Sequence, residues 1–217
     1  LEPVANMARA LADAERHDES VEYFRQLAEP DDADAELLTD YANALHKAGK
    51  PSEALTICER ALQSDPNSAK AVFLCAVLQK EHGDQPGAEK SYRRAAELDP
   101  DLAEIYNNLG NLLYHADQVE EALACYETYV EKGDQKASGL LSQASCHIAL
   151  GDQDKAKGLI EQALAFEPDN VVALTRYADL GGKNKEDFSA RLESAASRPD
   201  LARGDKQRAA FALAHYQ

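Results

Sequence analysis

Small residues recur along this chain at a fixed interval of 34: Ala8, Ala42, Ala76, Gly110, Ala144, Ala178 and Ala212. A second series in the same register reads Ser20, Ala54, Ala88, Ala122, Ala156 and Ala190, and a third supplies Pro66, Pro100 and Pro168. An irregular alanine-rich bundle has no need of constant register. Stacked copies of one helical unit do, because each copy must bury the same face against the next. The interval therefore restricts the chain to a repeat architecture.

The unit is plainest in AEIYNNLGNLLYHADQVEEALACYETY, from Ala103 to Tyr129. Its first half, to about His115, places Tyr106, Leu109, Gly110 and Leu113 on one stripe, and its second, from about Val119, places Ala122, Tyr126 and Tyr129 on another. Apolar or small residues every three or four places mark amphipathic helices. Gly110 and Ala122 are small where the two helices of a hairpin must approach closely.

This unit resembles the tetratricopeptide repeat, a helix–turn–helix of 34 residues. With Ala103 as place 1, Tyr106, Leu109, Gly110, Leu113, Ala122 and Tyr126 match that family's pattern of large, small and aromatic places. Tyr129 and Asp134 depart from it, where Ala and Pro are usual. The frame steps through the chain without insertion, as repeats 1–34, 35–68, 69–102, 103–136 and 137–170, a degenerate repeat 171–204, and a partial repeat or capping helix 205–217. The resemblance implies an all-α fold, a right-handed α-solenoid, with residues 1–217 as a single domain.

Local signals agree with the frame. Gly49 ends one first helix and Pro51 opens the next helix, Gly83-Asp84 and Gly151-Asp152 make equivalent turns, and Asp18 caps or charges the start of its helix. Gly139 and Gly158 lie inside helices at a cost of about 1 kcal/mol each relative to Ala, which makes repeat five the softer one. In repeat six, Gly181 and Gly182 replace the end of the first helix, and the second is expected from about Glu186 to Ser197. The tail carries Phe211, Ala212, Leu213 and Tyr216, is apolar on more than one side, and invites a cover: a second helix, a further domain, or another copy of the chain through self-association.

Composition excludes several functions. A net charge of −16 with no Lys/Arg cluster argues against nucleic acid and anionic membrane as partners, and favours basic or neutral ones. No apolar run is long enough to span a bilayer and no secretory leader is visible. A chain starting with Leu is read as processed or excised. Of the four cysteines, Cys58 and Cys75 fall on seam places and act as small apolar residues. Reduced thiols in a cytoplasmic protein are expected, although a periplasmic setting also fits.

No GxSxG, GxxxxGK[ST], HExxH or GxGxxG motif is present. His46, His82, His115, His147 and His215 fall near the ends of first helices, where a cation suits the macrodipole. Pro30 to Asp34 lacks the Gly and Glu of a calcium loop. No catalytic residue, metal ligand or cofactor is therefore assigned.

In the family the first helices line the concave groove. The frame projects onto that face Asn43 from repeat two; Lys70, Phe73, Leu74 and Val77 from repeat three; Asn107, Asn108, Asn111 and Tyr114 from repeat four; Ser142 and Ser145 from repeat five; and Arg176 from repeat six. The centre is an apolar patch beside an asparagine trio. The patch would hold a partner's apolar side chain, and the amides, both donors and acceptors, would hold an extended backbone. The asparagine row is similar to rows in the repeats of O-linked N-acetylglucosamine transferases. The carboxylate clamp of chaperone-binding members is not reproduced, since Asn107, Ser142 and Val172 stand where it needs other residues.

The expected function is a protein-interaction scaffold binding a peptide or protein segment in the groove. The alternative is the non-catalytic substrate-recognition region of a larger enzyme. Residues Asp187 to Tyr216 resemble the junction before the catalytic domain of bacterial tetratricopeptide-repeat sulfotransferases, and repeats one to five suit a glycosyltransferase equally.

Overall fold

The computed structural model describes residues 2–29, 33–181, 185–199 and 202–216, and every regular element among them is helical. The helices come in consecutive pairs: α1 (Glu2–Asp13) with α2 (His17–Leu27), α3 (Ala35–Lys47) with α4 (Pro51–Ser64), and α5 (Ala69–Glu81) with α6 (Gln85–Leu98). Then follow α7 (Ala103–His115) with α8 (Val119–Lys132), α9 (Lys136–Ala149) with α10 (Gln153–Phe166), α11 (Val171–Asp179) with α12 (Lys185–Ala196), and α13 (Arg203–Tyr216). This is an α-solenoid of tandem helix hairpins.

The turn within each hairpin needs one residue in the left-handed region. Gly49 (φ 73°), Gly83 (φ 85°) and Gly151 (φ 81°) supply it without steric cost, while Glu15 (φ 59°) and Asp117 (φ 62°) do so with a Cβ. Between hairpins, Asp34, Ser68 and Asn170 cap α3, α5 and α11 by accepting from the backbone N–H of Leu37, Ala71 and Ala173. Such a cap contributes about 1 kcal/mol. Asp18 does not cap α2; its N-cap position is Arg16, and Asp18 only places negative charge in the first turn.

Both small-residue series are buried through the first five hairpins. The first hairpin shows why they are small. Ser20, fully buried, donates from Oγ to the carbonyl of Ala8 at 2.8 Å, so the two series touch backbone to side chain.

The chain falls into two compact units, Leu1–Leu112 and Leu113–Gln217, the division lying within α7. In the first, Phe24 stacks on Tyr41 at 6.2 Å between ring centroids. Cys58 of α4 and Cys75 of α5, 17 residues apart with Cα atoms 5.9 Å from each other, are joined in a disulfide. This corrects the expectation of reduced thiols: two seam places that face each other bring the sulfurs together. A loop of this length contributes about 3 kcal/mol when closed.

In the second unit the repeat frame slips. α11 has 9 residues where α3, α5 and α7 have 13, and it ends on Leu180 and the left-handed Gly181 (φ 67°). The following residues 182–184 lie outside the described residues. α12 then buries Phe188 and Leu192, two places earlier than the frame requires, and Ala190 is exposed rather than buried. The Phe188 ring stacks on Tyr177 at 4.4 Å, filling with aromatic volume the space that elsewhere closes around alanine.

The two helical glycines of repeat five have different surroundings. A Cβ on Gly139 would lie 2.4 Å from Val130 Cγ2 and 3.0 Å from Tyr129 Cδ1. Tyr129 stands where the family has Ala, and Gly139 supplies the room it needs. Gly158 has nothing within 4 Å of the same position.

Candidate functional site

The residues assigned to a groove fall in both units, and each set has its own geometry. In the first unit several polar groups of α3 are already engaged. Asp40 accepts from Arg9 Nε at 2.5 Å, Thr39 Oγ1 donates to the carbonyl of Ala35, and His46 Nε2 meets the two oxygens of Glu81 at 2.9 and 3.0 Å. Asn43 and Lys70 are exposed.

On α5 the apolar patch is smaller than the frame projects. Leu74 is only 8% exposed and packs in the core with Ala71, Cys75 and Leu78, so it offers little to a ligand. Phe73 and Val77 remain half-buried, one turn apart on the same stripe. The Phe73 ring is tilted against Tyr92 of α6, with centroids 5.9 Å apart. Tyr92 is fully buried, its hydroxyl has no partner among the described residues, and burial pushes its phenol well above the ordinary range. Tyr92 was not anticipated as part of this site; it fixes the angle at which Phe73 is presented.

The asparagine trio lies on α7. Asn108 Nδ2 donates to the carbonyl of Glu104 at 3.0 Å, and its Oδ1 accepts from Lys80 Nζ of α5 at 3.4 Å. Asn107 and Asn111 are half-buried. The arrangement pairs one aromatic and one branched aliphatic side chain with amides able to donate and accept.

In the second unit Tyr114, half-buried, meets His115 edge-on at 6.1 Å. Ser142 Oγ donates to the carbonyl of Ser138, and Ser145 Oγ to that of Leu141. Arg176 and Ser145 are brought together. Arg176 Nη1 donates to Ser145 Oγ at 2.7 Å and to the Leu141 carbonyl at 2.9 Å, tying α11 to α9. Burial lowers the Arg176 pKa from its usual value, and the neighbouring charge of Arg208 lowers it further against the opposing effect of Tyr114. Beside it lies a cavity of about 290 Å³, whose walls include Val172, Asp179, Arg208 and Phe211. Arg208 and Phe211 were not among the projected residues. Read as the start of another first helix from Asp205, the tail puts Arg208 and Phe211 at the places of Tyr106 and Leu109, which the frame does not project onto the groove.

Nothing in either set forms an activated nucleophile. The buried Cys146 thiol is pushed up to about 11 by desolvation, away from reactivity. Among the described residues no group of three His, Cys, Asp or Glu could hold a metal, and no helix is long and apolar enough to cross a membrane.

Known proteins share this organisation. A family model described as TPR repeat matches residues 80–117, and two described as tetratricopeptide repeat match residues 11–78 and 107–171. The chain is similar to the photosystem I assembly protein Ycf3 of Cyanophora paradoxa, 28% identical over 174 residues, which are 78% of this chain and 80% of that protein. It is 26% identical over 127 residues to Superkiller complex protein 3 of Mus musculus, covering 55% of this chain and 8% of that protein. The chain thus spans most of one relative and a small part of another. Among solved structures it is similar to YrrB, with a TM-score of 0.64 at 19% identity over 82% of this chain and 91% of that one.

Proposed function

Since this chain belongs to the tetratricopeptide-repeat family, we propose that it is an interaction scaffold which takes an extended segment of a partner protein on the α5–α7 face of its first unit. The observation that carries this reading is the juxtaposition on that face. Phe73 and Val77 are half-buried and still accessible on α5, Lys80 of the same helix reaches Asn108 of α7 at 3.4 Å, and the adjoining Asn107, half-buried, makes no hydrogen bond within the described residues. An amide partly removed from water gains when a ligand's peptide group pairs with it. An apolar side chain from the same ligand would cover Phe73, which Tyr92 holds in place.

The relatives support this class of role. Ycf3 is named as an assembly protein, and YrrB is described as a TPR protein with an unusual peptide-binding site. The net charge of −16 favours a neutral or basic segment over nucleic acid. The disulfide between Cys58 and Cys75 favours an oxidising compartment over the cytoplasm. In a longer polypeptide the same face would present substrate to a neighbouring catalytic domain, and the small share of Superkiller complex protein 3 that these repeats cover is consistent with such embedding.

The test is a double substitution, Phe73→Ala with Asn111→Ala. Proteins captured from the source cells by the wild type are quantified by mass spectrometry against those captured by the variant. Loss of capture with an unchanged thermal melt supports the face; capture that survives removes it.

A further inference from the structure

The cavity between α11 and α13 holds an arrangement that peptide capture in the first unit does not use. Arg176 is half-buried at the middle of α11, and the acceptors it has among the described residues are both neutral: a carbonyl and a hydroxyl. A guanidinium taken out of water is costly unless a charge of opposite sign compensates it. The second guanidinium on the same cavity, Arg208, adds repulsion instead. Arg208 is exposed and, among the described residues, is tethered by Asp205, one turn earlier on its own helix, at 3.2 Å.

This is an unusual concentration for a chain with 39 acidic and 23 basic side chains. Arg176 uses one nitrogen on its two neutral acceptors, which leaves guanidinium N–H groups for a ligand. Two guanidiniums on one cavity match the planar, twin-acceptor geometry of a carboxylate. Asp179 on the wall and Asp205 behind Arg208 add two negative charges to the two positive ones, so a dianion such as phosphate gains less here than a single carboxylate does. Next to the arginines, Val172 and the 64% exposed ring of Phe211 form an apolar wall.

We propose that the α11–α13 cavity is a subsite for the aspartate or glutamate side chain of a peptide, with Arg176 and Arg208 donating to its carboxylate and Phe211 covering the adjoining apolar residue. The subsite lies wholly in the second unit and does not rest on the α5–α7 face.

The probe is N-acetyl-Glu-Phe-amide, titrated into the full chain while the arginine Nε–Hε resonances are followed by NMR. N-acetyl-Gln-Phe-amide is the isosteric control. The expected result is saturable movement of the Arg176 and Arg208 signals in the millimolar range, at least about tenfold weaker with the Gln probe. Arg208→Gln, on the exposed side of α13, should leave the fold intact and weaken the Glu probe by about the same factor. Equal response to both probes, no saturable movement of either arginine, or full binding by Arg208→Gln would each overturn the proposal. The Phe73→Ala, Asn111→Ala protein should bind the probe normally, so failure of the first-unit face and failure of this subsite read out separately.

Discussion

The hairpin α5–α6 and the hairpin α11–α12 derive from the same repeat but close by different means. In α5–α6 the helices run 13 and 14 residues, and fully buried alanines, Ala76 and Ala88, occupy the places where Ser20 reaches the Ala8 backbone in the first hairpin. Close approach of backbones holds that pair. In α11–α12 the helices run 9 and 12 residues, Ala190 has turned out to solvent, and a stacked pair of rings, Tyr177 on Phe188, fills the gap. The Arg191 guanidinium lies over the Phe188 ring, 5.1 Å from its centroid. The repeat thus tolerates a two-residue slip of register when side-chain volume replaces proximity.

The sharpest way to break this contrast is to remove the replacement volume. Phe188→Ala should cost about 3 kcal/mol by leaving a cavity beside Tyr177, read as a lower midpoint in chemical denaturation. Next, Ala88→Leu should overpack the regular hairpin and cost about 1–3 kcal/mol, whereas Ala190→Leu, at the equivalent place in repeat six, should stay within about 0.5 kcal/mol of wild type. Equal losses for the two alanines would mean that the slip is not real.

The two glycines of repeat five separate local propensity from packing. Gly158→Ala should raise stability by about 0.5–1 kcal/mol, because nothing lies within 4 Å of the added methyl. Gly139→Ala gains the same propensity but must displace Val130 and Tyr129, and should lose about 1 kcal/mol net. Adding Val130→Ala, which removes the nearer contact, should relieve most of that penalty on Gly139→Ala, measured as a positive coupling in a double-mutant cycle. The smallest effect concerns the turn: Asp117→Gly relieves a left-handed Asp and should stabilise by about 0.5 kcal/mol in a thermal melt.

Much of the fold was legible because a constant interval carries its own check. The bounds of α3 to α8 match the frame to the residue, since turn and cap residues recur with the apolar pattern. The slip in α12 was not legible, because Gly181 shortens α11 and only packing decides how far the chain must travel before it can bury a ring. Leu74 was misjudged for a related reason. α5 is apolar almost all round, so hydropathy does not say which of its neighbours faces out. The engagement of Asp40 by Arg9 from the preceding hairpin is likewise a tertiary fact, fixed by a long guanidinium side chain reaching a short carboxylate across 31 residues.

The repeat spacing carries the signal for the disulfide. Cys58 and Cys75 are 17 residues apart, and so are the stacked Phe24 and Tyr41. Gln143, which donates to the carbonyl of Tyr126 at 3.2 Å, shows the same separation. Each pair joins the second helix of one repeat to the first helix of the next. Two cysteines landing on that pair of places have little choice but to meet.

That position has a mechanical consequence. In a linear array each repeat is supported only by its neighbours, so the ends can open without the middle. A covalent link inside a hairpin would leave that hierarchy untouched, but the bond between α4 and α5 welds two successive repeats into one. A chain pulled from its first residue should give up α1 to α3 and then stop at the weld. There, 17 residues of slack are withheld from the unfolded length until a reductant is added, and a force trace would record the difference.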